Sequence, residues 1–169
     1  DGWDCDGGWI AHKYHTNTLG KSQSTIGAVL ESDMPYTASD GGCYAVANHP
    51  YKLADYASST GASVSAIKNI IYNYGPVLAT ICVGDAFDDY YSWYTSDFGI
   101  FSTDESGQCG SDGTNHVVVL MGWNDTGGYW ILRNSWSSSW GEDGYMRIAY
   151  GTSKVARYIS WVNYSTPLA

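Results

Sequence analysis

Residues 128–148 read GYWILRNSWSSSWGEDGYMRI. Two short runs of aromatic and branched side chains, GYWILRN (128–134) and GYMRIAY (144–150), flank a connection of Ser, Trp and Gly. Such runs, bounded by turn residues, predict two strands of one sheet. The first ends on a polar residue, Asn134, with Trp136 two positions on.

Upstream, NDTGG (124–128) is a turn signal, and before it lies NHVVVLMGW (115–123). This is a third strand, and it opens on a titratable residue, His116. Neighbouring strands lie about 4.8 Å apart. A His at the start of one and an Asn at the end of the next can therefore meet side chain to side chain. An amide oxygen on one ring nitrogen fixes the imidazole tautomer and leaves the other nitrogen to exchange a proton with a nucleophile. Trp136 is placed to cover that hydrogen bond from water.

VLATICV (77–83) and RYISWV (157–162) complete five predicted strands. Before them, SVSAIKNIIYNYGP carries the best helical pattern. Ser63 or Ser65 caps it, Ile67, Ile70, Ile71 and Tyr74 form its apolar face, and Gly75-Pro76 ends it. A second helix is expected between Gly8 and Leu19, and residues 32–50 read as loop. The fold class is α+β: helix and loop over about residues 1–60, then a mostly antiparallel, curled or barrel-like sheet over about 61–169.

With 169 residues and 44% hydrophobic content, a packed domain is expected. A formal net charge of −9 argues against nucleic acid and anionic membranes as partners. No apolar run is long enough for a membrane span. Cys5, Cys43, Cys82 and Cys109 lack zinc-site spacing, so neither a metal nor another cofactor is implied. The acidic, Lys-poor composition fits a secreted protein. Asn124-Asp125-Thr126 and Asn163-Tyr164-Ser165 match the N-glycosylation pattern. His12 and His15 read as a solvated helix face, and His49 as loop surface. The acidic pairs Asp88-Asp89 and Glu142-Asp143 read as solvated turns, and Trp140 and Tyr145 as core filling.

Four stretches, in order, carry a resemblance: CDGGW (5–9), GPV (75–77), NH with its apolar strand (115–122) and RNSWSSSWGEDGYMRI (133–148). Together they resemble the papain family of cysteine proteases. The resemblance implies a papain-like fold, a helical half against a barrel-like sheet half with a cleft between. It implies His116 as general base, Asn134 as the residue orienting it and Trp136 as the indole shielding the pair. Gly7 and Gly8 match the stretch whose backbone pairs with extended substrate, where a Cβ would obstruct close approach. Trp9, Ile10, Thr80 and Val117 match the wall of the pocket for the residue second before the scissile bond.

The family's nucleophilic Cys at a helix start, and its oxyanion-hole Gln, match nothing here. The expectation is that both lie upstream of Asp1, in a preceding segment or a separate light chain, and that this chain alone is inactive. By the same resemblance Cys5 and Cys43 have partners in that segment, while Cys109 matches a half-cystine usually paired near the C-terminus. No Cys follows 109, so a Cys82–Cys109 bridge is one open alternative. The implied substrate is a polypeptide and the implied compartment secreted or lysosome-like. The alternative is an inactive papain-fold binding or structural module. Ser137 stands where the family commonly has Gly; if that position needs positive φ, the cost is about 1 kcal/mol.

Overall fold

A computed structural model describes residues 12–16, 27–35, 37, 49, 51, 53–91, 99–111 and 113–163. Gly7, Gly8, Trp9, Ile10, Cys5 and Cys43 lie outside them. The chain divides into two compact units, Asp1–Ala57 with Val162–Ala169, and Ser58–Trp161.

In the first unit, α1 spans His12–His15. The Leu53 N–H donates to the His15 carbonyl, and Ala28 and Tyr51 form an antiparallel bridge. His12 is buried, 5.7 Å from the Tyr56 ring between centroids, and His15 is half-buried. His49 is also half-buried, its Nδ1 2.8 Å from the Gly27 carbonyl. The three histidines thus depart from the solvated face and loop surface expected of them. The chain at Leu53 and Tyr56 packs on this single turn and takes its histidines out of water.

One sheet, most of it in the second unit, is formed by β1 (Asp55–Thr60), β2 (Val77–Ile81), β3 (His116–Asn124), β4 (Tyr129–Arg133), β5 (Tyr145–Ala149) and β6 (Tyr158–Asn163). Their order is β1-β6-β2-β3-β4-β5. β2 pairs antiparallel with β3 and β6, β3 with β4, and β4 with β5. β4 and β5 alternate in burial: Trp130 and Leu132 of β4 and Met146 and Ile148 of β5 face the core. β2 is buried on almost every residue, as a strand with neighbours on both sides and cover above should be. Each such side chain contributes roughly 1.5–3 kcal/mol relative to exposure.

α2 (Val64–Tyr74) buries Ile67 and Ile71. Ser63 Oγ caps it by accepting from the Ala66 N–H at 3.2 Å, and Gly75, at φ 91°, ends it with its N–H on the Ile71 carbonyl. A second short helix, α3 (Asp85–Asp88), runs into a 3-10 turn at Asp89–Tyr91. Asp88 and Asp89 are exposed but belong to these helical turns. Glu142 is more than a turn residue: it accepts from Tyr90 OH and Arg147 Nε, each at 2.9 Å. Trp140 is buried, but Tyr145 is half-buried, its ring facing the Arg133 guanidinium at 5.8 Å. Cys82, just past the end of β2, is disulfide-bonded to Cys109. Among the described residues no helix is long and apolar enough to cross a membrane, and no group of His, Cys, Asp and Glu is arranged to hold a metal.

Candidate active site

His116 begins β3 opposite Ile81, with the next pair Val117 opposite Thr80. Asn134 follows β4 directly, its N–H donating to the Gly144 carbonyl. The β3–β4 register pairs Val119 with Arg133. Continued by one residue, it sets Asn134 across from Val118, on the face that His116 and Val118 share. The side chains meet there: His116 Nε2 lies 2.9 Å from Asn134 Oδ1.

The direction of that hydrogen bond follows from a second one. Asn134 Oδ1 also accepts from the Ser135 N–H at 2.8 Å. A backbone N–H only donates, so the amide atom facing it is oxygen, and the imidazole nitrogen on the same oxygen must donate. The proton of the neutral ring therefore sits on Nε2, and Nδ1 is left as the base. Asn134 is 8% exposed, and its Nδ2 has no hydrogen-bond partner among the described residues.

Aromatic rings fix the imidazole in place. The Trp136 ring lies 4.9 Å from it between centroids, tilted by 35°. Trp136 itself is 37% exposed, so it covers the ring rather than sealing the pair from water. Phe87, fully buried on α3, meets His116 edge-on at 6.3 Å and Trp136 edge-on at 5.7 Å, and stacks on Trp140 at 5.3 Å.

The segment carrying Phe87 is clamped by two side chains. Asn115 takes the Val83 N–H on Oδ1 and gives Nδ2–H to the Val83 carbonyl, both at 2.8 Å. Glu105, buried, accepts the N–H groups of Gly84 (3.0 Å), Ala86 (2.9 Å) and Phe87 (3.2 Å). Gly84 is needed there, because a Cβ would sit 2.7 Å from Glu105 Oε1. Burial and the carboxylates of Glu105, Asp85 and Asp89 raise the Asp88 carboxyl above its ordinary range. Sequence reasoning missed Phe87 and Glu105. The signal available was a lone Phe among acidic residues and a lone Glu in a polar loop, and neither has a local pattern.

Thr80 is fully buried, its Oγ1 taking the Tyr158 N–H at 3.1 Å. Val117 is half-buried. Cys82 is fully buried and both Cys82 and Cys109 are consumed by their disulfide, so neither offers a thiolate.

The family model described as papain family cysteine protease matches residues 1–165. The chain belongs to the papain family. It is 34% identical over 156 residues to fruit bromelain of Ananas comosus, covering 89% of this chain and 39% of that protein. To cysteine proteinase 3 of Entamoeba histolytica it is 34% identical over 167 residues, covering 96% and 49%. Among solved structures, digestive procathepsin L2 of Tenebrio molitor superposes with a TM-score of 0.72 at 27% identity, covering 94% and 48%. The chain therefore spans less than half the length of these papain-family relatives, and its α+β sheet is that of the papain fold.

Proposed function

We propose that the complete protein is a cysteine endopeptidase in which His116 is the general base and acid, Asn134 orients it and Trp136 covers it. The observation that supports this most is the Nε2–H to Asn134 Oδ1 bond, which leaves Nδ1 as the proton-exchanging atom. A neutral amide oxygen suits the task. It accepts from Nε2–H whether the ring is imidazole or imidazolium, so it holds orientation without fixing charge. The Trp136 indole, 4.9 Å away between centroids, covers the ring and limits its rotation.

In this reading a thiolate supplied from upstream of Asp1, in a continuous or separate chain, attacks the peptide carbonyl. His116 protonates the leaving amine, then takes a proton from the water that releases the acyl-enzyme. The Cys82–Cys109 disulfide supports an oxidising, secreted or lysosome-like compartment. Residues 1–169 would form one peptidase domain with that upstream part.

Val117, half-buried, would line the pocket for the residue second before the scissile bond, with the fully buried Thr80 behind it. The Thr80 hydroxyl is occupied by the Tyr158 backbone, so it offers substrate no polar group. A hydrophobic residue is expected there; a peptide library that selected Arg or Glu instead would reject the assignment.

The test is hydrolysis of a fluorogenic peptide amide by the complete protein. His116→Ala is expected to lower kcat/KM by about 10²–10⁴-fold, and Asn134→Ala by roughly 10–100-fold, the loss of one hydrogen bond to a charged ring. The 169-residue chain alone is expected to turn over nothing. A complete protein that folds, carries a free thiol and still hydrolyses no peptide would move the assignment to an inactive papain-fold module.

A further inference from the structure

We propose that Glu105 is a positioning residue for His116, acting through Phe87. The inference rests on the catalytic reading of His116 given above, but its geometry stands independently.

Glu105 is 8% exposed, and among the described residues no ion pair involves it. A buried carboxylate with no cation is costly unless its lone pairs are filled. Here they are filled by the backbone N–H groups of Gly84, Ala86 and Phe87. Its own N–H donates to Ser153 Oγ at 3.0 Å, and Ser153 Oγ donates to the Thr103 carbonyl at 3.0 Å. The Glu105 backbone is thus held as well as its carboxylate.

A cap on α3 alone does not account for this arrangement. α3 has four residues, too few for a helix to be stable by itself. What the three bonds do fix is the backbone of Phe87. The Phe87 ring touches both His116 and its cover, Trp136, by edge-on contacts. Edge-to-face contacts depend on ring direction, so a shifted Phe87 re-aims both partners. Asn115, the residue before His116, holds Val83 at the other end of the same turn. The imidazole and Phe87 are therefore referenced to one rigid segment, residues 83–87.

The test uses the complete protein and two readouts: steady-state hydrolysis of a fluorogenic peptide amide, and NMR of the His116 imidazole nitrogens as a function of pH. Glu105→Gln conserves shape, but its NH₂ group faces a backbone N–H, donor against donor. It is expected to lower kcat about tenfold, as small misplacements of a catalytic group do. KM should stay within about twofold, because no substrate contact is touched. The His116 Nε2 resonance should shift with it, and Glu105→Asp should recover part of both effects. Phe87→Leu, which leaves the carboxylate and its three bonds intact, should reproduce the loss through the ring alone.

A folded Glu105→Gln protein with wild-type kcat and an unmoved His116 resonance overturns the proposal. So does Phe87→Leu with both unchanged, and that variant decides the matter if Glu105→Gln does not fold. If the wild-type protein hydrolyses no peptide, the catalytic reading fails separately, and the His116 resonance still decides whether Glu105 sets its geometry.

Discussion

Asn115 and Asn134 flank His116 in space and use their amides differently. Asn134 spends its oxygen on the imidazole, whereas Asn115 uses both ends, one on the Val83 N–H and one on the Val83 carbonyl. That double use separates Asn from Asp at position 115, a distinction residue type alone does not reveal. Asn115→Asp loses the donor and presses a carboxylate against a carbonyl. It is expected to cost about 1–3 kcal/mol, read from the urea midpoint of the purified chain. Ser137 is a second case. It sits at φ 72°, a left-handed conformation that Gly adopts without strain. Its hydroxyl bonds to Ser139 are exposed and exchange readily with water. Ser137→Gly is therefore expected to raise stability by about 1 kcal/mol, with Ser137→Ala as the control that gains nothing. His116, Asn134 and the strain at Ser137 were legible because each lies in a dense local motif. Glu105 was not, because its partners at Gly84, Ala86 and Phe87 lie some twenty residues away across the fold.

Among the elements, α2 was readable from its repeating apolar face, and five strands from their runs of branched and aromatic residues between turn signals. β1 was not. Its sequence, DYASST, has no apolar alternation, and as the outermost strand it buries little. α3 was hidden for the opposite reason, as a single turn held by a distant carboxylate rather than by its own pattern. α1 carries a consequence of its own. Burial, reinforced by the charge of His15, lowers the pKa of His12; burial also lowers that of His15, with His49 adding to it. The folded pKa values lie below the unfolded value of about 6.5, so the unfolded chain takes up protons first as pH falls. Stability in this unit is complete above the unfolded value and declines as pH drops from there toward the folded values. Amide protection factors around Leu53 and Tyr56, corrected for the intrinsic exchange rate, should fall over that range. A His12→Phe variant should flatten the dependence, and protection factors indifferent to pH in the wild type would contradict it.

At the scale of the molecule, the covalent constraint among the described residues is the Cys82–Cys109 disulfide. It closes a segment of sequence separation 27 that contains α3, Phe87 and Glu105. In the chain-entropy account a loop of that size contributes about 3.5 kcal/mol. The double variant Cys82→Ser, Cys109→Ser should lose a comparable amount in chemical denaturation. It should also loosen the Phe87 contacts before the rest of the sheet. The pairing itself could not be read from cysteine spacing, because four cysteines allow several connectivities and only the meeting of the chain beyond β2 with the 3-10 turn at Ser106–Cys109 selects this one.

Cys82 is sealed in the core, but Cys109 is only half-buried. A thiol peptidase is usually woken by adding reductant, and the same reductant can reach this second sulfur. Under the proposed function, the complete protein's activity plotted against dithiothreitol should then rise, crest and fall: the rise as the nucleophile is freed, the fall as the staple behind the histidine is cut. With Cys82 and Cys109 both replaced, the falling limb should vanish, leaving a weaker enzyme that no longer distinguishes a little reductant from a great deal.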